Sequence, residues 1–539
     1  MPKPSNNVDP KAWLFALFVL SVLLAAFLIL RGTGNVEDPF LQGEYFASSA
    51  SLLTTTPGGF EPLTIHGALD YLPAMVTRAI WGPTDYFVPT LMLYKLLRLL
   101  AGALLFVVAY QASRGKPHQA LLVFGVGVMA TQLVNYRDLM WLASLYVWLL
   151  LTGRSFKPAA QTALLVLFGA LVGLGMFWSY DRGLTTIVAL GGSTLWMAVR
   201  DKRFVISLVV FVGVVALLGA LFETCSLSNY AANIKVLMDT SAQWSYGLQR
   251  WPVILTILTS LVNITALTAL IYTARHSLRF AQRPHAGPQV LGFVLASLMM
   301  FKIGINRADV DHIYWSMWIP ALIALTIYGR DFAFPRYLRI AAVVLVVLAL
   351  PCAAKFHHPA FVLVTGLLAL AISTNKPTFT PVRWAFVVLI IGTLGLTLLT
   401  AAHNYRAGQY AWIEKPNAWG DNAAASPEGV RWAAEQVLAS QSGCLLDLSN
   451  NGVINGLTRL PSCTRFTYLV YAGPANENEL IDAVRSSAPK AVVYSTTEPS
   501  YTVDGRSMRE RFPQLDAYLV SQYPDEKCNK GYCIRYQRG

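Results

Sequence analysis

Charged residues are scarce in this chain. They make up 13% of its 539 residues, while 55% are hydrophobic, and a soluble domain carries roughly 25% charged residues. This shortage excludes an ordinary soluble globular protein. Because backbone in lipid must satisfy its own hydrogen bonds, the recurring long apolar runs are predicted to be helices that cross a membrane.

Three further absences narrow the class. No small-residue cleavage site follows the first apolar run, Trp13 to Leu30, so this run is predicted to be a retained span and not a cleaved signal peptide. No fixed-period repeat is visible, whereas transporters are often built from repeated halves. The polar tail lacks a glycine-rich phosphate-binding motif.

The net charge of +13 does not indicate nucleic acid, because the basic residues occupy every second short loop. The positive-inside rule explains that placement as a topology signal. The clusters are Lys3 and Lys11; Arg114 and Lys116; Arg154 and Lys157; Arg200, Lys202 and Arg203; Arg275, Arg279 and Arg283; Arg330, Arg336 and Arg339; Lys376 and Arg383. The N-terminus is therefore predicted inside the cell and the C-terminus outside.

The sequence predicts a polytopic α-helical membrane protein of about thirteen transmembrane helices, each long enough to cross the bilayer. The predicted spans are 12–31, 88–110, 119–135, 139–153, 159–178, 184–199, 204–222, 252–273, 288–303, 313–329, 340–354, 360–373 and 384–402. Residues 1–402 form the predicted transmembrane domain. Its largest outer loop, 32–87, contains two predicted interfacial helices, Tyr45–Leu53 and Ala68–Trp81.

Residues 403–539 are predicted to form a small extracytoplasmic α/β domain, in which alternating strands and helices favour a parallel or mixed sheet. The predicted helices are Pro427–Ser440, Asn476–Ala488 and Met508–Gln522, and the predicted strands are Cys444–Leu448, Ala491–Ser495 and Tyr532–Tyr536.

Four of the six cysteines lie in this tail. An even number in an outer segment indicates disulfides, and the local pairings Cys444–Cys463 and Cys528–Cys533 are favoured. A zinc site is the rival interpretation, although no CxxC motif or companion histidine supports it.

An adjacent acidic pair, Glu37-Asp38, opens the large outer loop, which also carries Glu44, His66 and Asp70. Paired carboxylates at a membrane surface suit general-base or metal chemistry better than helix anchoring.

Other charged residues stand where predicted spans meet the outer surface. They are Arg137 and Asp138, Asp181 and Arg182, and Arg307, Asp309, Asp311 and His312. Such residues are costly unless they are paired or line a cavity. The pairs at 137–138 and 181–182 fit mutual neutralisation and a functional role equally well. For the segment 306–312 a direct role is favoured, because arginine grips phosphate in a bidentate manner.

Lys95 and Arg98 lie three residues apart and share one helix face. They contact an anionic lipid headgroup if the span begins near Tyr86. The alternative, slightly favoured, is an interfacial helix whose basic side chains extend towards water.

Together, arginines and a carboxylate on the outer face describe glycosyl transfer from a polyprenyl-phosphate sugar. Arginine stabilises the leaving phosphate, and the carboxylate deprotonates the acceptor hydroxyl.

The layout resembles the GT-C superfamily of membrane glycosyltransferases, in which many spans accompany an acidic first outer loop with interfacial helices and often an outer C-terminal domain. The resemblance covers the whole chain in architecture, and in sequence it rests on the Glu37-Asp38 dipeptide. It implies that Asp38 is the catalytic base, with Glu37 beside it, in an inverting-type transfer. It also implies that the segment Arg307–His312 handles the phosphate or sugar of the donor. The further donor-binding candidates are Arg137, Asp138, Asp181, Arg182, Lys95 and Arg98, and the candidates in the acceptor or interfacial loop are Glu44, His66 and Asp70.

Within that superfamily the chain is similar to bacterial enzymes that modify pilin, O-antigen or cell-wall arabinan, and a pilin arabinofuranosyltransferase is one specific candidate. The implied location is the bacterial inner membrane, with the site facing the periplasm. The chain lacks the WWDxG-type signature of oligosaccharyltransferases, which argues against whole-oligosaccharide transfer to Asn. It also lacks a clear second acidic motif, so a divalent metal cofactor is not favoured.

Three alternatives stay open at this point. They are a transporter or flippase for lipid-linked saccharides, an O-antigen polymerase or ligase, and a non-enzymatic scaffold that presents the tail. Charges gathered at the outer ends of the spans, instead of at midplane, argue against a transporter.

Overall fold

The computed structural model describes residues 40–52, 62–112, 134–240, 250–276, 285–307, 334–356, 360–373, 402–403, 405–407, 421–496, 502–503 and 506–538, together with single positions such as Val36.

The N-terminal part is helical. Its helices are α1 (Gly43–Leu52), α2 (Leu72–Trp81), α3 (Phe87–Ala112), α4 (Asp138–Gly153), α5 (Pro158–Trp178), α6 (Tyr180–Thr185), α7 (Gly192–Arg200), α8 (Val205–Leu221), α9 (Leu227–Thr240), α10 (Arg250–His276), α11 (Ala286–Arg307), α12 (Arg336–Phe356) and α13 (Ala360–Ser373). A π-helical stretch, Thr186–Gly191, joins α6 to α7.

Six of the described helices are long and apolar enough to cross a membrane. They lie at Phe87–Ala112, Pro158–Trp178, Lys202–Leu221, Val253–His276, Ala286–Gly304 and Arg336–Lys355. Each coincides with a predicted span, and shorter helices occupy the predicted spans 139–153 and 360–373. The predicted spans 12–31, 119–135, 313–329 and 384–402 lie almost entirely outside the described residues, so the count of about thirteen stays a prediction.

The long helices pack side by side around one apolar core. Helix α3 packs against α4, α4 against α5, and α5 against α8. Large buried side chains such as Trp141 and Trp148 fill this core, and the Trp148 indole donates a hydrogen bond to Ser193 at 2.9 Å. Burial of aromatic rings with a satisfied N–H is a major source of cohesion in such a bundle.

The tail contains α14 (Glu428–Ala439), β1 (Leu446–Asp447), α15 (Gly452–Thr458), α16 (Glu477–Ser487), β2 (Ala491–Ser495), β3 (Thr502–Val503), β4 (Arg506–Ser507), α17 (Met508–Arg511), α18 (Pro513–Gln522), β5 (Asp525–Asn529) and β6 (Tyr532–Tyr536). Four strands form a sheet in the order β1-β2-β6-β5. Strands β1 and β2 are parallel, and β6 is antiparallel to both of its neighbours. The predicted mixed α/β character of this segment is confirmed.

Several details of the tail differ from the prediction. The expected helix Met508–Gln522 breaks at Phe512, because the following Pro513 disfavours helical geometry in the residue before it, and Phe512 has φ −131° and ψ 70°. The short helix α15, the two-residue strands β3 and β4, and the exposed edge strand β5 have no predicted counterpart.

Both favoured disulfides are present, Cys444–Cys463 and Cys528–Cys533. The second pair joins directly opposed residues of β5 and β6. Cys225 and Cys352 are buried free thiols.

The tail, which we call the C-terminal domain, is docked on the predicted first outer loop. Helix α15 packs against α1 so closely that a Cβ on Gly452 would lie 2.3 Å from the Gly43 carbonyl oxygen. The Tyr468 hydroxyl donates to the Phe40 carbonyl at 2.8 Å, and the Leu63 amide donates to the Arg465 carbonyl at 2.7 Å. The first outer loop and the C-terminal domain therefore lie on the same face of the helical bundle.

Candidate functional site

Three loops that are distant in sequence meet beneath the C-terminal domain. The Tyr180 amide donates to the His66 carbonyl at 2.6 Å, and the Leu69 amide donates to the Phe177 carbonyl at 2.8 Å. The Trp178 indole donates to the Tyr136 carbonyl at 3.3 Å. These bonds bring together a set of charged residues that we call the ionic layer: Glu44, His66, Asp70, Arg137, Asp138, Asp181 and Arg182.

The first part of the ionic layer is built on Asp70, whose side chain is 0% exposed. The Tyr136 hydroxyl donates to Asp70 Oδ2 at 3.0 Å, and Arg137 Nε lies 3.6 Å from Asp70 Oδ1. Burial raises the pKa of Asp70 above its usual value, although Arg137 and His66 oppose this shift. The sequence grouped Asp70 with Glu44 and His66 in the acceptor loop, whereas the structure also places it beside Arg137.

The guanidinium of Arg137 makes its contacts through Nε. Its Nε donates to the Tyr136 hydroxyl at 3.1 Å, and its terminal nitrogens, Nη1 and Nη2, make no hydrogen bond within the described part of the chain. Burial alone would lower the pKa of Arg137, but Tyr136 and Asp70 raise it. The side chain, 13% exposed, is therefore a charged group with two donor nitrogens available to an anion.

Arg182 is arranged differently, although its sequence context is almost the same. Its Nε donates to Asp138 Oδ1 at 2.8 Å and its Nη1 to Asp181 Oδ2 at 2.6 Å. Both Arg182 and Asp138 are buried. Burial would raise the pKa of Asp181, but Arg182 and the Ser179 hydroxyl lower it to about 2. Two carboxylates therefore occupy Arg182, which braces α6 against α4.

Glu44 and His66 form the remaining pair. His66 Nε2 lies 2.9 Å from Glu44 Oε2, and the buried Glu44 Oε1 has no hydrogen-bond partner among the described residues. The pair offers two metal-binding side chains. Within the described chain, three such groups converge only at Glu526, Cys528 and Cys533, where both sulfurs are in a disulfide.

Tyrosines line the ionic layer, and sequence reasoning missed them. The rings of Tyr45 and Tyr94 stack at 3.8 Å, and Tyr136 meets Tyr94 edge-on at 4.7 Å. The Tyr94 hydroxyl donates to the Asp70 carbonyl at 2.7 Å. Burial raises the pKa of Tyr45 and Tyr71, which stay protonated. These tyrosines come from separate elements, so no local spacing signals their contact.

Glu37 and Asp38 lie outside the described residues, but both flanks of the pair are placed. The buried Val36 donates its amide to the Ala425 carbonyl at 2.8 Å, and the Phe40 carbonyl accepts from Tyr468. The chain on either side of the acidic pair is therefore held against the C-terminal domain.

Arg307 is the last residue of α11, and Asp309, Asp311 and His312 lie outside the described residues. Helix α11 runs antiparallel to the segment 180–200, since Gly287 lies against Trp196 and Leu295 lies against Gly192. Helix α11 also contacts α6. Because the two run in opposite directions, α6 lies beside the later turns of α11. The segment 306–312 thus begins at the level of the ionic layer.

Lys95 and Arg98 both lie within α3. Arg98 Nε donates to the Val134 carbonyl at 2.9 Å, so it ties α3 to the segment before α4. This contact fits a structural role for Arg98.

Known proteins resemble this chain in structure and not in sequence. No protein-family model matches the chain, and no curated protein matches it in sequence. Two crystal structures of ArnT from Cupriavidus metallidurans, one apo and one bound to undecaprenyl phosphate, match 98% of this chain and 98% of their own, each with TM-score 0.50. Their identities to this chain are 14% and 15%.

An oligosaccharyltransferase from Archaeoglobus fulgidus, crystallised with a tethered acceptor peptide, matches 98% of this chain and 74% of its own. Its TM-score is 0.48 at 11% identity, so the fold assignment rests on the ArnT structures. The match to ArnT extends over nearly the full length of both chains. The chain therefore has the fold of ArnT.

Proposed function

We propose that the protein is a membrane glycosyltransferase that moves a sugar from a polyprenyl-phosphate donor to an acceptor outside the cytoplasm. The fold supports this activity, and ArnT of the same fold binds undecaprenyl phosphate. One observation carries the proposal. Arg137 presents two terminal nitrogens without a partner in the described chain, at the end of a helical bundle, where a lipid phosphate would lie.

The proposed reaction is a single displacement. The acceptor hydroxyl oxygen attacks the anomeric carbon while the bond from that carbon to the phosphate oxygen breaks. The electron pair leaves with the polyprenyl phosphate, whose new negative charge Arg137 stabilises. The hydroxyl proton passes to a carboxylate, for which Asp38 is the proposed base, supported by Glu37. Attack opposite the phosphate inverts the anomeric centre.

The proposed orientation places the N-terminus in the cytoplasm and the C-terminal domain in the periplasm of a bacterial inner membrane. Arg154 donates to Gln111 at 3.0 Å at the ends of α4 and α3 that lie away from the ionic layer. The positive-inside rule assigns that end to the cytoplasm. The acceptor is then a periplasmic glycan or protein such as pilin, O-antigen or cell-wall polysaccharide, and arabinofuranosyl transfer to pilin is one candidate.

A complementation experiment tests the activity. Cells that lack the gene receive the wild-type protein, the Arg137→Ala variant or the Arg154→Ala variant, and their outer-surface glycans and glycoproteins are compared by mass spectrometry. We expect one sugar or one linkage to disappear without the gene, to return with wild type and with the control Arg154→Ala, and to stay absent with Arg137→Ala. Loss of a whole class of glycan would instead indicate a flippase or a polymerase.

The base assignment has its own test. Asp38→Asn should insert and fold normally, bind undecaprenyl phosphate as wild type does, and lose transfer. Transfer at the normal rate would show that Asp38 is not the base.

A further inference from the structure

We propose that Asp70 is a positioning residue that acts through Arg137. It fixes the guanidinium so that the terminal nitrogens face the donor phosphate. The inference rests on the proposed function and deepens it, since it concerns the same phosphate site.

Arg137 is held at Nε, the guanidinium nitrogen nearest its backbone. Nε makes both contacts, to Asp70 at 3.6 Å and to the Tyr136 hydroxyl at 3.1 Å. A guanidinium carries five N–H donors in a planar fork. An inner partner at Nε leaves the outer edge, with both terminal nitrogens, for a bidentate contact with a phosphate.

Asp70 is itself held in place. Its carboxylate accepts from the Tyr136 hydroxyl, and its backbone carbonyl accepts from the Tyr94 hydroxyl. Its amide donates to the Gly67 carbonyl at 3.1 Å. A residue held from three directions can orient a neighbour without the loss of conformational entropy that a free ion pair requires.

The buried Asp70 carboxylate contacts Tyr136 and Arg137 and caps no helix. Its Oδ1 accepts no hydrogen bond within the described chain, and Asp70 precedes α2 without capping it, since Tyr71 is the N-cap residue. A buried carboxylate is expensive unless it is paired, and Arg137 is the charged partner of Asp70. Asp70 lies beside the arginine of the ionic layer whose terminal nitrogens have no partner in the described chain. Its position is explained if Asp70 orients that arginine.

Arg182 provides the contrast. Asp138 and Asp181 occupy both its Nε and its Nη1, which leaves no free edge for a bidentate phosphate. Asp70 engages Arg137 at Nε alone. Asp70 thus restrains Arg137 and leaves its terminal nitrogens, Nη1 and Nη2, for another partner.

The test uses the full-length protein in detergent or lipid, with wild type, Asp70→Asn, Arg137→Ala and the double variant. Asp70→Asn keeps the size of the side chain and an acceptor for Tyr136 but loses the charge. We expect kcat/KM for the lipid-linked sugar to fall roughly 10- to 100-fold, as for a misplaced binding group. Binding of undecaprenyl phosphate should weaken in parallel.

The double variant separates positioning from the rival roles. If Asp70 acts through Arg137, Asp70→Asn causes no further loss of kcat/KM in the Arg137→Ala background, a coupling that a double-mutant cycle measures. An independent further loss there would overturn the inference in favour of direct chemistry by Asp70. A lower thermal stability with unchanged kcat/KM and unchanged binding of undecaprenyl phosphate would overturn it in favour of a purely structural role.

Failure of the proposed function has a different signature. In that case wild type itself neither transfers sugar nor binds undecaprenyl phosphate. If wild type does both and Arg137→Ala is weakened in both, while Asp70→Asn matches wild type, the positioning inference alone is wrong.

Discussion

The contact between α15 and α1 allows a prediction with a magnitude. A Cβ on Gly452 would lie 2.3 Å from the Gly43 carbonyl oxygen and 2.7 Å from the Ala47 Cβ. Neither obstacle is the end of a flexible side chain, so the Gly452→Ala variant must push the two helices apart. Because the C-terminal domain is docked through this contact, its attachment to the first outer loop should weaken.

The expected cost reflects that geometry. Forcing one extra methyl group into a well-packed interface costs typically 1–3 kcal/mol, and a clash with backbone belongs at the upper end, about 3 kcal/mol. For a domain of this size such a loss lowers the unfolding temperature on the order of 10 °C. Transfer activity should fall as well, since the C-terminal domain holds both flanks of the Glu37-Asp38 pair.

The assay is thermal unfolding in detergent, with limited proteolysis of the C-terminal domain alongside it. Gly443→Ala is the matched control, because it lies in the same domain with nothing within 4 Å of an added Cβ. The control should be neutral or slightly stabilising, because alanine reduces the freedom of the unfolded chain. Equal unfolding temperatures for Gly452→Ala and Gly443→Ala would refute the tight docking of α15 on α1.

Three further predictions concern stability, each measured by thermal unfolding. Arg182→Ala should destabilise the protein by about 3–5 kcal/mol, because it leaves the buried Asp138 carboxylate without its charged partner. The control Arg203→Ala, at an exposed position, should leave stability unchanged. Equal effects of the two variants would contradict the bracing role of Arg182. Replacing Cys444 and Cys463 together by serine should cost about 3 kcal/mol, since the disulfide closes a loop with a sequence separation of 19; no loss would show that the bridge is dispensable. Burial raises the pKa of Asp447 to about 6, above its unfolded value of roughly 3.9. The contribution of Asp447 to the free energy of unfolding should therefore be full below about pH 4 and be lost as the pH rises through about 6. A pH–stability curve that Asp447→Asn leaves unchanged would contradict this.

Much of the local structure was predictable. Apolar runs located six spans because the bilayer forces them to be helical whatever their neighbours are. The strand Ala491–Ser495 was predicted at its observed bounds, since a short buried run with paired valines and a tyrosine favours a strand. Cys528 and Cys533 pair across a tight hairpin, so sequence proximity alone indicated their partnership.

The short helix α15 escaped prediction for a physical reason. Its sequence, Gly452–Thr458, contains two glycines together with valine, asparagine and threonine, all of which have weak helix propensity. The helix forms because its small residues allow close packing on α1, a tertiary contact that local propensity does not contain. The tyrosines around Asp70 escaped for the same reason, because four separate elements bring them together.

The sequence by itself determined the membrane class, the helical spans, the sheet-containing tail and the cysteine pairing, because each depends on hydrophobic pattern or on near neighbours. It also placed two nearly identical motifs at the ends of spans, Tyr136-Arg137-Asp138 and Tyr180-Asp181-Arg182. Only the tertiary structure decided how they differ. Packing of α6 against α4 gives Asp138 to Arg182, and the outer loop brings Asp70 to Arg137. Arg182 is thereby paired at two nitrogens, whereas the two terminal nitrogens of Arg137 have no partner in the described chain. Long-range packing, and not adjacency in the chain, selects the partners in a buried charge network.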